Sequence, residues 1–163
     1  MVDKSAFTAE EWRLILTSPM LAGMAVTLAD PSGIFGTLKE SFAGGSALLT
    51  AKKDAGANAI ATEIAADFDT PEGRTGARDG IKGDLKGKSP AEMKAKALEG
   101  LRQVNAILAA KAPDDAPGFR TWLKDIAANA AEASSEGGFL GFGGVKVSDA
   151  EKATLAELNS ALS

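Results

Sequence analysis

Cations recur at every fourth residue in Arg74, Arg78, Lys82 and Lys86, beside glycines at 73, 76, 80, 83 and 87 whose spacing alternates between three and four. Cationic side chains and unhindered backbone amides are the groups that hold a phosphate or a carboxylate. With Lys88, these cations face only Glu72, Asp79 and Asp84, a local positive excess in a chain whose net charge is -4. Glycine at this density disfavours stable helix, so residues 70–88 read as a flexible basic segment that closes over a small anionic metabolite. If the segment were helical, it would instead present one bare stripe and one basic stripe. Ordering such a loop costs about 1 to 2 kcal/mol per fixed residue, so binding through it is expected to be weak. The competing reading is a solvated connection with incidental charge.

A second unusual stretch is Gly137-Gly-Phe-Leu-Gly-Phe-Gly-Gly144, with Phe139, Leu140 and Phe142 on a permissive backbone. It lacks the Lys-Ser/Thr ending of a phosphate-binding P-loop and follows a helical pattern rather than a strand. Either the three apolar side chains fold back to plug one end of the structure, or they form an exposed tip for a partner, a membrane surface or a ligand mouth. Met20 and Met24 share a helical face beside Gly23 and Ala25, and such methionines ordinarily fill a core, although a small pocket near Gly44-Gly45 is conceivable. Glu63 and Asp67, four apart, suit a solvated surface better than a cation site. Asp67-Phe-Asp69-Thr-Pro-Glu72 begins like a calcium loop but places Pro71 at a ligand position, Glu72 at the turn glycine and Arg78 at the closing glutamate.

The absences are as informative. The chain has no His, Cys or Tyr, which removes the commonest general base, the thiolate nucleophile and the usual zinc, iron-sulfur and ferritin-like ligand sets. No spacing of Asp, Glu, Ser or Lys singles out an acid-base or Ser-Lys pair. The expectation leans away from an enzyme, with carboxylate-only or Ser-Lys catalysis left open, and includes no metal or cofactor. An acidic chain without aromatics in its basic segment is no nucleic-acid binder.

What must position these residues is legible from caps and periodicity. Thr8 and Glu11 form a capping box, with Phe7 and Trp12 at staple spacing, and Ser18-Pro19 reads as a second cap where the helix kinks or restarts. Met20 to Ala29 is apolar all round and belongs at the centre of a bundle. Asp30-Pro31 opens a helix to about Asp54 bearing Ile34, Phe35, Leu38, Phe42 and Leu49, loosened at Gly44-Gly45 and ended by Gly56; Ile60, Ile64 and Phe68 mark another. Ser89-Pro90-Ala91-Glu92 starts a helix that turns Met93, Ala97, Leu101, Val104 and Leu108 to one side. Pro113 to Pro117 breaks it, and a further helix buries Phe119, Trp122, Leu123, Ile126 and Ala130 up to Gly137-Gly138. Ser148 to Glu151 caps a last one with Leu155, Leu158 and Leu162 on one face.

No stretch alternates like a strand, and no solenoid repeat is present. The 163 residues, 45% apolar and 25% charged, therefore make one all-α domain, an irregular bundle of five to seven helices with both tryptophans buried. The uncharged run Leu14 to Ala29 falls short of the roughly 20 apolar residues of a membrane span. The start lacks the pattern of a secretory signal, so the expected location is cytoplasmic. The leading functional expectation is a non-catalytic helical module that binds a protein partner or itself, with Phe139, Leu140 and Phe142 as contacts. The alternative is the small-anion binder built on Arg74, Arg78, Lys82 and Lys86.

Overall fold

The computed structural model describes residues 2–29, 58–136 and 147–163. The expected helix from Asp30 to Asp54, the Gly44-Gly45 break, Gly56 and the Phe139, Leu140 and Phe142 tip all lie outside the described residues.

Among the described residues the fold is an all-α bundle of six helices without strands: α1 (Ala9–Thr27), α2 (Ala59–Asp69), α3 (Pro71–Leu85), α4 (Pro90–Lys111), α5 (Ala116–Glu136) and α6 (Asp149–Ala161). A short 3-10 turn, Lys4–Ala6, precedes them. Helix α1 is the hub and touches all five others. Its buried side chains run right round it, from Ile15 and Leu16 through Ser18, Leu21, Ala22 and Ala25 to Val26, while Met20 and Met24 are half-buried and packed on the core. That is the pattern expected of a central, apolar helix. Close approach to α4 is permitted by Gly100, where an added Cβ would stand 2.8 Å from a Leu21 methyl. The rest of the core comes from Ile60 and Ile64 of α2, Leu101, Val104 and Leu108 of α4, Phe119 and Leu123 of α5, and Leu158 beside Leu162. On α5 the inward alanines are Ala127 and Ala131, whereas Ala130 is only half-buried.

Helix α1 does not break at Ser18-Pro19, contrary to the boundary expected there; it runs through Pro19. A proline inside a helix removes the N–H that would have bonded the carbonyl four residues back, here Ile15. The Ser18 hydroxyl donates to that Ile15 oxygen at 2.6 Å, so the orphaned acceptor is satisfied inside a core where Ser18 is fully buried.

The three capping boxes read from the sequence are all reciprocal. Thr8 Oγ1 accepts from Glu11 N while Glu11 accepts from Thr8 N, and Ser89 with Glu92 and Ser148 with Glu151 repeat the exchange. Two of these carboxyls sit below their ordinary pKa. Glu11 is lowered first by the hydrogen bond from Lys111 and then by the Thr8 N–H, and Glu92 first by the Ser89 N–H. A carboxyl depressed in the folded state contributes stability above its unfolded pKa and loses it as pH falls through the folded value. Acidification below the ordinary carboxylate range is therefore expected to weaken the starts of α1 and α4. Denaturant midpoints at neutral and acid pH check this: Glu11→Gln and Glu92→Gln should each lower the neutral midpoint and flatten its pH dependence, and an unchanged dependence would contradict it.

Candidate interaction surface

Residues 70–88 are not the loop their glycine content argued for. Thr70 caps α3 by accepting from Gly73 N at 3.0 Å, Pro71 occupies the first turn, and the helix runs to Leu85 before Gly87, at φ +75°, turns the chain away. Two of the glycines lie where the chain packs closely, Gly73 against backbone and Gly80 against the flexible Arg13 side chain. An added Cβ at Gly73 would lie 2.7 Å from the carbonyl carbon of Asp67 and closer still to its oxygen, and one at Gly80 would meet the Arg13 guanidinium at 3.1 Å. Ala77, Gly80 and Leu85 are buried, with Ile81 packed partly against the core. Gly76 and Gly83 differ: nothing among the described residues comes within 4 Å of a Cβ built there.

Helical geometry also decides what the four cations do. Residues four apart advance about 6 Å and overshoot a full turn by about 40°, so Arg74, Arg78, Lys82 and Lys86 wind along the helix over roughly 18 Å instead of converging on one point. Arg74 is already engaged, donating from Nη1 to the carbonyls of Phe68 at 2.9 Å and Asp69 at 3.1 Å, and so capping the C-terminal end of α2. Arg78 lies 3.5 Å from Asp79, with both side chains well exposed, an arrangement worth little in water. Lys82 and Lys86 are exposed. Past the first turn the backbone amides serve the helix's own ladder, and Gly73 N is taken by the Thr70 hydroxyl.

The remaining sequence candidates resolve into structure. Asp67 is not idle surface: it accepts from the Trp12 indole at 2.6 Å and from Lys4 Nζ, which also sits 5.5 Å over the Trp12 ring. Glu63 is half-buried one turn earlier on α2. Among the described residues, no group of three His, Cys, Asp or Glu is placed to hold a metal ion. None of the described helices is long and apolar enough to cross a membrane.

No family model, curated protein or solved structure matches the chain. The arrangement on the page therefore carries the functional argument.

Two features escaped the sequence reading. The first is the clasp of Lys4, Trp12 and Asp67, whose members are 55 and 63 residues apart. A buried indole announces that it needs an acceptor, but nothing local names which one. The second is Arg120, whose Nε donates to Asn105 Oδ1 at 2.6 Å, a link across α4 and α5 that follows no helical spacing.

Proposed function

We propose that this protein is a non-catalytic helical module that binds another protein, and that the outer face of α3 is the surface it uses. The observation that carries this reading is an exposed line of Arg78, Lys82 and Lys86 alongside Gly76 and Gly83, two glycines with open space above them. Each glycine inside a helix gives up about 1 kcal/mol relative to alanine, and at these two positions packing within the described chain offers nothing in return. Bare backbone there lets a partner approach closely. The neighbouring cations select for a partner with an extended acidic face, and electrostatic complementarity of this kind favours specificity and fast encounter. The small-anion alternative gains little from α3, because Arg74 is engaged, the amides are in helical bonds and the cations are spread along the axis.

Photo-crosslinking in cells tests the reading. A benzophenone side chain at position 76 or 83 is expected to capture a discrete acidic protein, and one at the exposed Ala110 of α4 is not. The product should disappear when Arg78 and Lys82 are changed to Glu while the helical spectrum is kept. Capture that is equal at Ala110, or that survives charge reversal, counts against the surface. A product containing only two copies of this chain would replace the partner with self-association.

A further inference from the structure

We propose that Arg120 and Lys124 of α5, together with Asn105 of α4, form a receptor for a small oxyanion at the corner where α4, α5 and α6 meet. The three helices touch one another pairwise. Arg120 and Lys124 are one turn apart on the same side of α5, and both are half-buried. Like charges at this spacing repel, and partial burial strips them of the water that would screen them.

Elsewhere in the bundle, two partly covered lysines stand beside carboxylates. Lys94 pairs with Glu157 at 3.2 Å, and Lys111 pairs with Glu11. Glu99 of α4 pairs with Arg102, and Glu157 of α6 with Lys94. Arg120 and Lys124 form no ion pair with any described residue.

Arg120 is also held in place. Its Nε donates to Asn105 Oδ1 at 2.6 Å, and Asn105 is itself fixed by donating from Nδ2 to a main-chain oxygen of Ser163 at 2.9 Å. A guanidinium has five donors, and securing it through Nε leaves the Nη fork for a group that offers two acceptor oxygens. Lys124 adds a point charge one turn along. Phosphate and carboxylate share that chemistry, and a receptor already held in shape loses little on binding. This corner is separate from α3, and the inference stands without the reading of that surface.

Inorganic phosphate is the first probe, acetate the second, with chloride at matched ionic strength as the reference. Phosphate is expected to move the Arg120 Nε–H resonance in nitrogen-edited NMR saturably, and more tightly than acetate because two cations face it. Acetate binding as tightly as phosphate would keep the receptor and assign it to carboxylates. Arg120→Gln should weaken binding about tenfold or more, the scale of one charge-assisted forked contact. Lys124→Gln and Asn105→Ala should each weaken it several-fold, whereas changing Arg78 and Lys82 to Ala should leave it intact. Arg120→Lys keeps the charge and removes the fork, so it should bind more weakly than the native protein even where the fold is unchanged. The proposal is overturned if chloride reproduces the shift, if the shift fails to saturate, or if Arg120→Gln binds phosphate as well as the native chain.

Discussion

Gly73→Ala is expected to destabilise the protein by about 3 kcal/mol, the upper end of the usual cost of forcing atoms into a filled site. The new methyl would meet the main-chain carbonyl of Asp67, which has no rotamer to escape into. That carbonyl is further fixed by two donors from Thr70, its N–H at 3.0 Å and its hydroxyl at 2.7 Å. Relief can come only by opening the corner between α2 and α3, which would also loosen the bonds from Arg74 to Phe68 and Asp69. Gly76→Ala and Gly83→Ala provide the contrast. With no described atom within 4 Å of a Cβ at either position, each should gain about 0.5 to 1 kcal/mol from helix propensity alone. Equilibrium denaturation of the three variants separates them by sign, and a Gly73→Ala protein as stable as the native one would refute the account of why α3 is built on glycine.

Ser18→Ala should cost about 1 to 3 kcal/mol, the penalty for leaving a buried acceptor without a donor. The lost atom is one hydroxyl oxygen, so cavity formation contributes little. What matters is that Pro19 supplies no N–H and Ile15 O then has nothing to bond. A second substitution makes the mechanism checkable. Adding Pro19→Ala to Ser18→Ala restores the missing N–H and should recover much of the loss, so the two changes are coupled by at least about 1 kcal/mol in a double-mutant cycle. Additive effects would show that the hydroxyl serves some purpose other than the proline's orphaned carbonyl.

How far the sequence revealed the fold depended on the range of each interaction. Thr8, Ser89 and Ser148 were readable as caps because each finds its glutamate three residues on, and the same locality exposed the apolar stripe of Leu101, Val104 and Leu108. The Ser18-Pro19 pair misled because a serine before a proline looks the same whether it opens a helix or repairs one. Only burial by neighbouring helices, which is not a local property, decides between them. Glycine content misled at α3 for a related reason. Propensity counts each glycine as a cost, whereas Gly73 sits where a side chain would meet the Asp67 backbone, and Gly80 lies close under the Arg13 side chain. Their alternating three-and-four spacing was already a helical period, with Thr70-Pro71 as its start signal, and there the pattern was the better guide.

The candidate site was less legible. Arg74, Arg78, Lys82 and Lys86 stood out by type and spacing, but their meaning changed once the backbone between them became helix. Arg120 gave no signal at all, since its link to Asn105 joins two helices across a turn of the chain.

The position of α1 at the hub has a consequence for the newly made chain. Its apolar residues Ile15, Leu16, Leu21 and Val26 are synthesised before α4 and α5, which largely cover them, and the bond from Lys111 to Glu11 closes across 100 residues. At translation rates of about 5 to 20 residues per second, this helix waits on the order of five to twenty seconds for its partners. During that interval the largely apolar stretch from Leu14 to Val26 is exposed, and holdase chaperones that favour such segments would meet α1 before α5 does. Truncations that stop short of α5 would leave that exposure permanent, so ribosome-bound chains ending near residue 112 should recruit such chaperones strongly, and the completed chain should release them.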